Sequence, residues 1–142
     1  MMDISDLYTE IIMDHQKNPR NYGMIENKDR EVHLTNSSCG DEIFLQVKLN
    51  REKIQDIAFY GHGCAICTAS ASIMTDLVKG ISREKALEFY EEFIQMVRSG
   101  KKPSSFLKDA RVFEGVSQYP LRVKCATLAW HALKKAITIE EK

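Results

Sequence analysis

The side chains in this sequence best suited to bind a soft metal ion or to attack an electrophilic sulfur are four thiols, Cys39, Cys64, Cys67 and Cys125. A thiol does either job as the thiolate, so each cysteine is judged by what surrounds it. Cys39 lies in the run Asn36-Ser37-Ser38-Cys39-Gly40-Asp41-Glu42. In an extended segment side chains two apart point the same way, which predicts that Cys39 and Asp41 present a thiolate and a carboxylate to one point. Gly40 lets the backbone bend between them. Cys64 closes Gly61-His62-Gly63-Cys64 at a predicted strand-to-helix junction. There the free amides of the helix N-terminus favour the thiolate. Cys125 follows Arg122 and Lys124, whose positive charges act in the same direction.

Three cysteines and one aspartate drawn from two loops and a helix start form a candidate metal site if the fold brings them together. Charge balance does not choose the occupant. Three thiolates and a carboxylate leave the same net charge of minus two around one zinc ion or an oxidised [2Fe-2S] cluster. Ligand type says more, because structural zinc sites are usually closed by cysteine and histidine, and the hard carboxylate of Asp41 is a poorer match to soft thiolates. Asp41 is therefore the ligand expected to let go. Other readings stand beside this one. Cys125 sits on an apolar helix face and would pass as packing, Asp41 as a turn residue, and His62 as either an alternative ligand or a solvated loop residue. His15, His33 and His131 have no ligand spacing to any cysteine and read as surface or structural groups.

The elements that must position these groups follow from periodicity. Ile4, Leu7, Tyr8, Ile11 and Ile12 predict a helix over 4–15, ended by Asn18-Pro19. Alternation of Ile43, Leu45, Val47 and Leu49 predicts a strand over 43–49, a polar turn at 50–53 and a second strand over 54–60, with 30–36 as a third. A helix then runs from Gly63 to Gly80, another from an N-cap at Ser82 to Gly100, and a last one over 121–137. Phe89, Tyr90, Phe93 and Met96 read as ordinary packing of the second of these, and 101–118 as a connection with a helical turn or two. Strands early and helices late predict an α+β fold, a small antiparallel sheet with helices packed on one face, formed as one domain over 1–142.

Composition sets outer bounds. At 142 residues a compact domain buries roughly 68 to 70% of its unfolded surface and needs no disulfide or metal as a staple. Lys+Arg and Asp+Glu are each 20, for a net charge of +0, which argues against nucleic acid as a partner. Hydrophobic residues at 44% and charged residues at 28% are a globular balance. No apolar stretch is long enough to span a bilayer and no leader pattern opens the chain, so no membrane partner and a cytoplasmic location are expected. Four unevenly spaced cysteines fit that reducing setting as metal ligands or reactive thiols.

The residues Leu7-Tyr8, Ile12-Met13-Asp14-His15, Lys17-Asn18-Pro19-Arg20-Asn21, Cys39-Gly40-Asp41, Gly61-His62-Gly63-Cys64 with Ala69-Ser70-Ala71-Ser72, and Arg122-Val123-Lys124-Cys125 with Thr127-Leu128-Ala129-Trp130 resemble, in order, the SufU/IscU family of iron–sulfur assembly proteins. The chain is more similar to the SufU branch. Lys124 stands where IscU proteins have a histidine, the chaperone-recognition segment is missing, and the stretch from Cys64 to Cys125 is longer. The resemblance implies a compact α+β scaffold in which Cys39, Asp41, Cys64 and Cys125 hold zinc. It implies a zinc-dependent sulfurtransferase that takes sulfur from the persulfide of a SufS-like cysteine desulfurase, with Cys39 as acceptor, Asp41 as labile ligand and Arg122 as electrostatic support. A histidine of the desulfurase would free Cys39 from zinc. In the IscU branch the same positions, with Cys39, Cys64 and Cys125 as cluster ligands, imply a non-catalytic scaffold on which a [2Fe-2S] cluster is built and passed to downstream iron–sulfur scaffold or target proteins. Relatives commonly carry serine where this chain has Cys67, so Cys67 receives no role. It reads first as a small buried helix residue and then as a spare ligand or disulfide partner. A thiol redox protein using Cys64 and Cys67 is a third reading, disfavoured because the strands cluster before the pair.

Overall fold

The computed structural model describes residues 9–138. In chain order it contains α1 (Glu10–Lys17), β1 (Arg30–Asn36), β2 (Asp41–Asn50), β3 (Lys53–His62), α2 (Ala65–Val78), α3 (Arg83–Ser99), a 3₁₀ helix (Ser105–Gln118) and α4 (Pro120–Ile137). The strands form one antiparallel sheet in the order β1-β2-β3. The two segments read as strands pair antiparallel across the turn, with Leu45 opposite Phe59 and Val47 opposite Ile57. Their inward sides bury Ile43, Leu45, Val47, Ile57 and Phe59. α2 and α4 lie against that face, and α4 also packs along β1. This is the α+β arrangement with helices on one side of a small sheet.

The helix ends carry the chemistry read from the sequence. Ser82 accepts a hydrogen bond from Lys85 N at 3.0 Å, and Gly100 closes α3 in the left-handed conformation at φ 75°. α2 ends one residue before Lys79, and Gly80, at φ 87°, turns the chain back so that its N–H reaches Ile54 O at 2.8 Å. Within the described residues α1 starts at Glu10 behind a Thr9 cap and runs on to Lys17. The expected helical positions Ile4, Leu7 and Tyr8 lie outside the described residues. The connection over 101–118 carries more structure than expected. Leu107, Ala110, Phe113 and Val116 are buried at every third position, with a break at Lys108. That period matches the three residues per turn of a 3₁₀ helix and places one stripe against the core.

The core centres on Trp130, which is fully buried and stacks on Phe93 with ring centroids 4.2 Å apart. Its indole N–H donates to Ser70 Oγ at 3.0 Å, and that hydroxyl donates to Ala126 O at 2.6 Å. One hydroxyl thus ties α2 to α4 without leaving a polar atom unsatisfied. On the other side of α2, Ser72 Oγ accepts from Arg20 N at 2.7 Å and lies 2.7 Å from His15 Nδ1. The hydroxyl thus joins the His15 ring to the Arg20 backbone. Burial, followed by the charge of Arg20, holds the His15 pKa below its usual value.

A histidine whose folded pKa is lowered contributes stability that is complete above its unfolded pKa and is lost as pH falls through the folded one. Urea midpoints measured at about pH 7.5 and about pH 5.5 should therefore fall further in the native chain than in His15→Gln. Equal losses in the two proteins would show that His15 does not couple α1 to pH.

Candidate metal centre

The turn between β1 and β2 builds the first part of the site. Asn36 pairs directly with Asp41, and Ser37 to Gly40 form the tight connection between them, with Cys39 N bonded to Asn36 O at 3.3 Å and Gly40 at φ 69°. Cys39 and Asp41 do converge, though not by the strand alternation expected. Cys39 belongs to the turn, and the left-handed Gly40 folds its sulfur back toward the carboxylate that opens β2. The first turns of α4 bring Cys125 from the opposite side. The Cys39 and Cys125 sulfurs are 2.9 Å apart, and one ligand atom each from Cys39, Asp41 and Cys125 lie within 4.8 Å of one another.

Cys64 occupies the N-cap position of α2. Its backbone N–H donates to Asp41 Oδ1 at 2.9 Å. Its sulfur interacts with the Cys125 thiol but is not within 4.8 Å of all three other ligand atoms. The hydrogen bond from Cys125, helped by the amides of Cys67 and Ile66, pulls the Cys64 pKa down to about 6 against the opposing effects of burial and the Asp41 charge. The same pairing with Cys64, with burial next, drives the Cys125 thiol upward. The Cys125 thiol also donates to Cys39 Sγ at 2.9 Å. Arg122 Nη1 lies 3.5 Å from Cys39 Sγ.

Asn36 is a residue that spacing did not single out. Its amide donates to Asp41 Oδ2 at 3.0 Å and reaches Cys125 Sγ at 3.7 Å, so both Asp41 oxygens are held by neutral donors. The signal was the register, since extending the β1-β2 ladder puts Asn36 opposite Asp41. Gly63 is the second. A Cβ there would stand 2.7 Å from Asp41 Oδ1 and 3.1 Å from Cys67 Sγ. Cys67 is fully buried behind this glycine, and burial pushes its thiol well above the thiolate range. The histidines stay out of the site. His62 is exposed and pairs with Glu42 at 3.3 Å, His33 pairs with the same carboxylate at 2.8 Å, and His131 bonds to Tyr90 at 2.9 Å.

The donor set fits a thiophilic cation. Asp41 is 2% exposed, and a buried carboxylate beside a thiolate is costly without a compensating positive charge. A tetrahedral zinc ion with bonds of about 2.3 Å to sulfur sets its sulfurs about 3.8 Å apart. The present 2.9 Å separation of Cys39 and Cys125 must therefore open to admit it. Asn36 orients the carboxylate as an outer partner commonly does at metal sites.

With metal stripped by a chelator, iodoacetamide at pH 7 should modify Cys64 well before Cys125 or Cys67, with a rate that rises through about pH 6. Peptide mapping by mass spectrometry reads the order. Equal labelling of Cys64 and Cys125 would contradict the lowered pKa of Cys64.

Comparison with known proteins extends this geometry. The sequence model of the NifU-like N terminal domain matches residues 7–139. The chain is 45% identical over 135 residues to the iron-sulfur cluster assembly scaffold protein IscU of Streptococcus pyogenes serotype M1, covering 94% of this chain and 84% of the relative. It is 43% identical over 140 residues to the zinc-dependent sulfurtransferase SufU of Bacillus subtilis (strain 168), covering 98% and 95%. A solved structure described as a proposed iron-sulfur cluster assembly scaffold protein for the SUF system, from Fervidobacterium islandicum AW-1, superposes with a TM-score of 0.87 at 36% identity, covering 96% of this chain and all of that one. With its sequence match and its fold in agreement, the chain belongs to the NifU-like N-terminal domain family, alongside proteins named SufU and IscU.

Proposed function

We propose that this chain, acting as one domain, is a SufU-type iron–sulfur assembly protein that holds zinc through Cys39, Asp41, Cys64 and Cys125 and accepts sulfur from a cysteine desulfurase. The observation that carries the reading is the convergence of Cys39, Asp41 and Cys125 within 4.8 Å, with the Cys64 amide on the same carboxylate. The similarity to the Bacillus subtilis sulfurtransferase supports it. Zinc bound here would keep the thiols deprotonated at neutral pH and out of disulfides.

The transfer asks for one reachable sulfur. Cys125 is fully buried, Cys39 and Cys64 are both half-buried, and of these two Cys39 is the one carried by a turn, with the Arg122 guanidinium at 3.5 Å. Cys39 is therefore the acceptor. Its thiolate attacks the outer sulfur of the desulfurase persulfide, the S–S bond of that persulfide breaks, and the desulfurase cysteine leaves as its thiolate. Arg122 offsets the negative charge that moves onto the new Cys39 persulfide. Asp41 is the ligand most readily surrendered, because its oxygens keep the Asn36 and Cys64 donors when it lets go. No helix among the described residues is long and apolar enough to cross a membrane, which is compatible with action in the cytoplasm.

A second reading keeps the same ligands as a scaffold for a [2Fe-2S] cluster destined for target proteins, favoured by the similarity to the Streptococcus pyogenes scaffold. Elemental analysis of protein purified without added iron separates the two when desulfurase turnover is assayed on the same sample. We expect one zinc per chain and stimulated turnover, lost by at least about a hundredfold in Cys39→Ser. Cys67→Ser should keep both properties within about twofold, and Asp41→Ala should release its metal more slowly. Iron with visible absorbance and no stimulation would transfer the assignment to the scaffold. A metal-free protein would overturn both.

A further inference from the structure

We propose that a groove beside the thiol cluster, between β1, the end of α3 and the outer side of α4, is a binding site for a small multivalent oxyanion, a polycarboxylate or a phosphate compound. The hollow measures about 500 Å³, within the range of roughly 300–1,000 Å³ that small-molecule sites occupy. Arg98, Lys124 and His131 line it, with the hydroxyls of Thr35 and Ser117 among them, and none of its lining residues is acidic. In a chain with a net charge of +0, that is a local segregation of positive charge.

The basic groups are not neutralised by neighbours. The Arg98 guanidinium meets another base, His131 Nε2, at 3.4 Å. Accepting from Arg98 leaves the His131 proton on Nδ1, which faces Tyr90 Oη at 2.9 Å, so the ring is neutral. Burial, then Arg98, Lys134 and Lys135, hold the His131 pKa below its usual value, which marks the positive field of the region. Lys134 and Lys135 line a second hollow on the far side of His131, extending that field along α4. Among the described residues no carboxylate pairs with Lys124, Arg98 or Lys135. Two cations, Arg98 and Lys124, on a concave, hydroxyl-bearing wall recognise oxygens carrying more than one negative charge. The groove also shares Asn36 with the thiol cluster, whose amide holds Asp41 at 3.0 Å. An anion seated there would touch the residue that orients the carboxylate. The inference does not depend on which metal the cysteines hold.

The test uses the full chain as purified, with metal content measured before and after. Tricarballylate, which has three carboxylates and lacks the chelating hydroxyl of citrate, and inorganic phosphate are titrated separately at constant pH and ionic strength. The imidazole resonances of His131 and calorimetry report binding. We expect saturable shifts of His131 with one of the two, weakened by about tenfold in Arg98→Gln and in Lys124→Gln, both exposed positions whose unchanged circular dichroism would show an intact fold. A response to tricarballylate alone identifies a polycarboxylate site, and a response to phosphate alone a phosphate site. Absence of saturable shifts with both, or binding indifferent to both substitutions, overturns the proposal.

Discussion

A buried carboxylate surrounded by thiols is the constraint on which this structure turns. Asp41 is 2% exposed, and its neighbours include Cys39, Cys125 and the amide that begins α2. Anionic groups taken out of water repel one another strongly, and neutral donors such as Asn36 lessen the cost without removing it. The chain can relieve the strain in two ways. It can protonate, and the upward drive on the buried Cys125 thiol lies in that direction. It can also accept a cation, and softness of the sulfurs selects a thiophilic one.

The rest of the fold serves to keep these groups from drifting apart. The β1-β2 turn fixes Cys39 against Asp41 through the Asn36 pairing, the Cys64 amide at the N-cap of α2 holds the same carboxylate, and α4 delivers Cys125. Trp130, Phe93 and the Ser70 bridge lock α2 to α4 behind them. A rigid frame around a strained anionic cluster yields affinity for metal without needing a deep pocket. Because Cys39 is carried by a turn rather than a helix, it is also the thiol that can move outward with least disturbance.

Much of this was legible in the residues. The alternation over Ile43 to Leu49 and the second apolar segment over Ile54 to Tyr60 placed both long strands, and Cys64 was recognisable at a helix start because Gly61-His62-Gly63 ends a strand and an apolar 3.6-residue pattern follows. Two things were not. The period of three in Leu107, Ala110, Phe113 and Val116 looked irregular against an α-helical template, although it is the period of the 3₁₀ helix that forms. The meeting of Cys39 and Asp41 was expected from alternation along a strand, whereas a left-handed Gly40 produces it. Asn36 escaped notice because its role is defined across the hairpin, by register, and register depends on where the turn falls.

The central claim is that Cys39, Asp41, Cys64 and Cys125 surround one cation. X-ray absorption at the zinc edge on the intact protein addresses it most directly, because sulfur and oxygen neighbours differ in scattering and distance. The account predicts three sulfurs at about 2.3 Å and one lighter ligand at about 2.0 Å, the lighter one replaced or lost in Asp41→Ala. A shell of four sulfurs, which would bring Cys67 into the site, or a shell of oxygen and nitrogen alone, would contradict it.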